Sequence, residues 1–152
     1  MNATSDIQKR REEIADNYFR MVDAGNSAVI DIFTEDAHMF YPKFGIASGK
    51  AQIGAFAQGL GWGIASLEHE IENFTVLSSG DYVIVEGAEK GTMTSGVDFP
   101  DGVSSFGLFC NVFEFEGELI KRIHIYVDPD FANTHAEGVA WGKRVQDSIA
   151  SL

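Results

Sequence analysis

The stretch "LFCNVFEFEGELIKRIHIYV", residues 108–127, decides the architecture. Before Gly117, Phe109, Asn111, Phe113 and Phe115 share one parity, and Leu108, Cys110, Val112 and Glu114 take the other. After it, Ile123, Ile125 and Val127 form the apolar set, opposed by Arg122, His124 and Tyr126. A period of two means extended chain with one face buried. The "EGE" between the two runs is short enough for a tight hairpin. Two antiparallel strands are predicted, 103–116 and 119–128.

The same period holds back to residue 66. Segments 67–77 and 82–94 read as strands, joined to the next through "SSGD" and "SGVDFPDG", so the second half is predicted to be an antiparallel meander. Upstream the period is helical. "SDIQKRREEIADNYFRMVDAG" opens on a Ser5–Gln8 capping-box pattern, carries Ile14, Tyr18, Met21 and Val22 on one face, and stops at Gly25. Asn26 can cap a second short helix through Phe33, buried by Val29, Ile30 and Phe33. "AHMFYP" reads as a short strand ended by Pro42. A third helix is expected from Lys50 to about Leu60, with Ile53, Phe56 and Leu60 inward. Asp128-Pro129 starts a terminal helix in which Trp141, Val145 and Ile149 repeat every four residues. Helices followed by a run of strands give an α+β fold, with helices on one face of a curved sheet.

Composition narrows the partners. The 152 residues suit a single domain (1–152, with its core at 7–131 and a C-terminal helical extension at 129–152). The 12 Phe favour an aromatic-rich core. A formal charge of −12 repels phosphate backbones and anionic lipid, so neither nucleic-acid nor membrane partners are expected. The single cysteine, Cys110, cannot form an internal disulfide, and the first residues have no apolar signal-type core. A cytoplasmic location is the expectation. The histidines, 38, 69, 124 and 135, show no ligand-type pairing, so neither metal nor cofactor is expected. "GLGWG", residues 59–63, follows a helix rather than a strand, the wrong setting for a dinucleotide loop, and reads as a mobile loop with Trp62 as a lid residue.

The order of elements resembles the nuclear-transport-factor-2-like superfamily, nearest its SnoaL-like branch, a cone-shaped curved sheet wrapped around three N-terminal helices. The resemblance spans roughly residues 7–131 and rests on "YFRMVDAGN", "FTEDAHMFYP", "EHEIENFTVLSSGDYVIVEG" and "FEFEGELIKRIHIYVDPDF". It implies a homodimer through the outer sheet face, where Leu108, Val112 and Tyr126 fall. It does not fix function, because one fold hosts many chemistries. Against the ketosteroid isomerases, Tyr18 matches the oxyanion tyrosine and Asn111 the donor acid. The catalytic base position is Tyr41, and a neutral phenol is a poor base. Against limonene epoxide hydrolase, Ile125 stands where an aspartate is needed. Scytalone dehydratase and hexachlorocyclohexane dehydrochlorinase are more similar, with an aspartate ending helix one and a histidine opening the first long strand. Here these are Asp23 and His69.

An aspartate that orients an imidazole so that the histidine moves a proton is a sufficient acid–base dyad. Tyr18, Tyr41 and Asn111 would donate to developing oxyanion charge. Phe109, Phe113, Ile125 and Trp62 would line an aromatic pocket for a small hydrophobic molecule. The expected function is therefore a cofactor-free lyase or isomerase. The alternative is a non-catalytic binding or scaffold protein in which the same phenylalanines are plain core. Two observations pull Asp23 in opposite directions. On an ideal wheel it lies about 130° from the Ile14–Tyr18–Val22 face, toward solvent. Yet a carboxylate at a helix C-terminus opposes the dipole, so it does not serve the helix. His69, between Glu68 and Glu70, could take either strand face, and Asp23→Asn is expected to leave folding nearly intact.

Overall fold

A computed structural model describes residues 3–42 and 45–128. Its helices are α1 (Ala3–Asp23) and α2 (Gly49–Gly63), with short 3-10 turns at Ser27–Ile32 and Ile71–Asn73. Its strands are β1 (Phe33–Tyr41), β2 (Gly45–Ser48), β3 (Ile64–His69), β4 (Thr75–Ser79), β5 (Tyr82–Met93), β6 (Asp98–Phe99), β7 (Leu108–Glu116) and β8 (Leu119–Val127). The main path of the sheet runs β2-β1-β8-β7-β5-β3, with β4 and β6 also on β5. Strands β5, β7 and β8 are the antiparallel meander expected, and β1 closes onto β8 in parallel. The result is a strongly curled mixed sheet around three helical segments, the cone-shaped α+β architecture.

The departures from the sequence reading are local. Helix α1 begins at Ala3, so Ser5 lies inside it rather than at its cap; alanine is a strong enough helix former to carry the turn outward. The helix after Asn26 is a 3-10 turn that ends before Phe33, although the Asn26 side chain does accept from the Ala28 N–H at 3.0 Å. Strand β1 is longer than "AHMFYP", because the polar "TED" hides its start. "GLGWG" is the last turn of α2, not a loop. Glycines weaken a helix by roughly 1 kcal/mol each, but this end is tied down, since the Thr94 N–H donates to Gly63 O at 2.8 Å. The strand read at 67–77 is two strands, β3 and β4, split by the second 3-10 turn and both paired to β5. The C-terminal helix expected from residue 129 lies outside the described residues.

The inner parity of β7 and β8 is buried as read. Phe109, Asn111, Phe113, Phe115, Ile123 and Ile125 all face the core, whereas Leu108 is 59% exposed and Tyr126 is 50% exposed on the outer face. Phe19 of α1 sits fully buried among Phe74, Phe109 and Phe113. Each such side chain contributes roughly 1.5–3 kcal/mol by leaving water. At the far end of the cone, the buried Arg11 of α1 donates from Nε to Gly117 O at 2.8 Å and from Nη1 to Gly80 O at 2.9 Å. One guanidinium thereby holds the helix to two hairpin turns, β4–β5 and β7–β8.

Candidate functional site

The last turn of α1 sets the site. Gly25 has φ +61°, its N–H donates to Val22 O, and the Asn26 N–H reaches back to Met21 O. These two bonds are a Schellman end, which closes the helix and turns the chain sharply. Asp23, the last helical residue, is left against the end of β3. Its Oδ1 lies 2.5 Å from His69 Nδ1, and its Oδ2 accepts the His69 backbone N–H at 2.9 Å. The ideal wheel had pointed Asp23 to solvent; its side chain is instead 19% exposed, and that of His69 is 7% exposed. A side chain at the rim of the apolar face needs only a covering strand to become buried, and β3 is that strand.

Across the sheet, His69 pairs in register with Glu89 of β5. Glu89 Oε2 lies 3.3 Å from His69 Nε2, and the Glu89 side chain is only 5% exposed. Both imidazole nitrogens thus face a carboxylate oxygen. Burial pulls the His69 pKa down, but the bonds to Glu89 and Asp23, together with their charge, outweigh it and leave it above its ordinary 6.5. A charged ring between two carboxylates is the arrangement this shift describes. Phe19 and Phe109 wall the imidazole, with ring centroids at 4.9 and 5.3 Å.

Sequence reasoning missed Glu89. It sits in the polar run "EGAEKG", which reads as solvated chain. The signal was its parity: Glu89 follows Val83, Val85 and Gly87 at steps of two, on the buried face. Gly87 keeps that face open at the aromatic wall, because a Cβ there would lie 2.5 Å from Phe74 and 3.0 Å from Phe109. Gly107, at φ +68°, lets its chain approach Glu89 closely and accepts the Glu89 N–H at 2.8 Å.

The other expected site residues divide. Tyr18 is buried, its ring edge-on to Phe113 at 5.4 Å, and burial followed by the Glu89 charge raises its phenol above 10. Tyr41 packs on Phe56 at 5.0 Å and is raised by burial, then by Glu89 and Tyr18. Both are therefore neutral O–H donors at ordinary pH, and poorer bases still. Asn111 is buried opposite Ile125, and its Oδ1, like Glu89 Oε1, has no hydrogen-bond partner among the described residues. Phe109 touches His69, whereas Phe113 is fully buried core against Phe115. Trp62 ends α2 with 82% of its surface exposed. Asp23, His69 and Glu89 form one contiguous acid–imidazole–acid group; Tyr18 and Tyr41 feel the Glu89 charge; Trp62 stands exposed in the last turn of α2.

Among the described residues, no helix is long and apolar enough to cross a membrane. The profile of the SnoaL-like domain matches residues 15–123. No curated protein matches the sequence significantly. Among solved structures, an NTF2-like protein of unknown function from Burkholderia pseudomallei superposes with a TM-score of 0.69 at 15% identity, over 79% of this chain and 92% of that one. A proposed polyketide cyclase from Xanthomonas campestris gives 0.65 at 16% identity, over 78% and 90%. A phenazine biosynthesis-related protein from Pseudomonas aeruginosa gives 0.64 at 16%, over 84% and 80%. At these identities the likeness concerns the fold. With the family profile spanning more than half of its length and the cone described above, the chain belongs to the SnoaL-like domain family, of the NTF2-like fold.

Proposed function

We propose that the protein catalyses cofactor-free acid–base chemistry, elimination or isomerisation, on a small hydrophobic ring-containing molecule. One observation carries this reading: the hydrogen bond between Asp23 and His69, both largely withdrawn from water. A carboxylate that only supported the fold would not need to grip an imidazole through the ring as well as the main chain. Positioned acid–base groups of this kind accelerate proton transfer by about 10²–10⁴-fold. Tyr18 and Tyr41, held neutral, can donate to oxygen as negative charge develops on it. The aromatic wall of Phe19, Phe74 and Phe109 suits an apolar substrate. The polyketide cyclase and phenazine neighbours are in keeping with such ring compounds.

The test is a thermal-shift screen of small ring ketones and phenols, followed by product analysis on every compound that stabilises the protein. Conversion by the wild type, lost in Asp23→Asn and in His69→Gln, is the expected result. A compound that binds wild type and both variants alike and is never converted would move the binding-protein reading ahead.

A further inference from the structure

We propose that the proton-abstracting atom of this site is Oε1 of Glu89, with His69 as the cation that supports it and Asp23 as the residue that positions His69. This rests on the acid–base reading above but moves the base from the imidazole to a carboxylate on the neighbouring strand.

The geometry favours this base over the simpler dyad. A histidine base must present a free nitrogen to the substrate. Nδ1 of His69 is engaged by Asp23 at 2.5 Å, and Nε2 faces Glu89 Oε2 at 3.3 Å, so neither is free. The ring is also hemmed in by Phe19 and Phe109. Glu89, by contrast, uses one oxygen toward His69 and leaves the other buried without a partner among the described residues. A buried acceptor that lacks a donor costs free energy unless something else meets it. A substrate C–H or O–H brought to Oε1 would meet it. The main chain of Glu89 is fixed on both sides, by the β3 register at His69 and by the Gly107 carbonyl at 2.8 Å.

The charged and titratable groups around Glu89 agree with that role. From α1 come Tyr18 and, through the imidazole, Asp23; from β1 comes Tyr41; from β3 comes His69 itself. The two phenols are neutral donors, and His69 faces Glu89 as a cation. In the step proposed, a C–H bond next to a substrate carbonyl breaks. Its proton goes to Glu89 Oε1, and its electron pair enters the conjugated system as an enolate, whose oxygen takes hydrogen bonds from the phenols. For isomerisation, Glu89 returns the same proton to a second carbon. For elimination, the enolate expels its leaving group with the bonding pair. Imidazole as the base would instead need Nε2 without its proton.

Two measurements decide the assignment. The first is exchange of the acidic ring protons of 2-tetralone in D₂O, followed by NMR. Wild type should accelerate exchange, Glu89→Gln should lose at least about 100-fold of that acceleration, and Glu89→Asp should recover part of it. Glu89→Gln retaining most of the acceleration, while His69→Gln abolishes it, returns the base to the histidine. If wild type does not accelerate exchange at all, it is the acid–base reading of this substrate class that fails. The second measurement decides Glu89 independently of turnover. The ¹⁵N shifts of the His69 ring at neutral pH should show both nitrogens protonated in wild type, and one proton lost in Glu89→Gln. A wild-type ring with a bare Nε2 overturns the proposal.

Discussion

Asp23 holds His69 at two points, the imidazole at Nδ1 (2.5 Å) and the backbone N–H (2.9 Å), so one carboxylate fixes both the ring and the end of β3. This changes what Asp23→Asn should do. An amide keeps one acceptor oxygen but presents an NH₂ where the second was, so one of the two donors on His69 loses its partner. A buried donor left unmade costs about 1–3 kcal/mol. Asp23→Asn should therefore lower stability by that amount in chemical denaturation, not leave folding nearly intact as the helix end alone suggests. Activity should fall by similar factors in Asp23→Asn and His69→Gln, and the double variant should lose little more, because the residues act as one unit. Additive losses would show that they act separately.

The raised His69 pKa makes a signed statement about pH. A base whose folded pKa exceeds its unfolded value contributes stability that is fully present below the unfolded pKa and is lost as pH rises through the folded one. For His69 the unfolded value is the ordinary 6.5, and the folded value lies above it, because the carboxylates outweigh burial. The stability advantage of wild type over His69→Gln should thus be largest below about pH 6.5 and shrink at higher pH. An NMR titration of the His69 ring should give a midpoint above 6.5, moved down in Asp23→Asn. A midpoint below 6.5 in wild type would mean that desolvation wins and that the ring is neutral between its two acids.

Gly87 predicts a coupling between packing and the site. A methyl group there would lie 2.5 Å from the Phe74 ring and 3.0 Å from Phe109, and rings have no soft end to yield. Alanine is the better strand residue, by roughly 0.5–1 kcal/mol, but overpacking typically costs about 1–3 kcal/mol. Gly87→Ala should therefore destabilise on balance. Because Phe109 walls His69, the His69 ring resonances should shift as well. An unchanged melting temperature would show that Phe74 swings out at no cost.

Most of the fold was legible because its two periods are clean: Ile14, Tyr18 and Val22 on α1, and Phe109 to Phe115 with Ile123 to Val127 on the hairpin. What failed was chemistry acting over short distances. "GLGWG" reads as a loop because it follows the third predicted helix, yet Ile64 and Thr94 anchor its carbonyls and keep it helical. The Asp23–His69 pair was legible through family resemblance and not through the wheel, which cannot register that β3, arriving after α2, lies against the C-terminal end of α1. Glu89 was invisible to composition and visible to parity. A charged residue that keeps step with Val83, Val85 and Gly87 is on the buried face, and a buried acid needs a partner, which His69 across the strand pair supplies.

Arg11 offers the sharpest test of how the cone is held shut. Its side chain is 8% exposed and makes three contacts, with Gly117 O, Gly80 O and Asp81 Oδ1, the last at 2.9 Å. Its guanidinium also lies over Phe115, 5.9 Å from the ring centroid. The Asp81 partner is largely exposed, so the ion pair itself is worth little. The hydrogen bonds to the carbonyls of two turns matter more, because they tie one buried guanidinium to both hairpins. Arg11→Ala should therefore cost on the order of 2–4 kcal/mol, from two charged hydrogen bonds and a cavity. Arg11→Lys should recover only a minor part, since one ammonium cannot span both carbonyls in the fixed fork that a guanidinium provides. Asp81→Asn should cost less than about 1 kcal/mol. The contact lies at the end of α1 opposite Asp23, so under conditions where Arg11→Lys stays folded its acid–base activity should match that of wild type. Equal stability of Arg11→Lys and wild type in urea denaturation would show that charge alone, and not the forked geometry, secures the two hairpins to the helix.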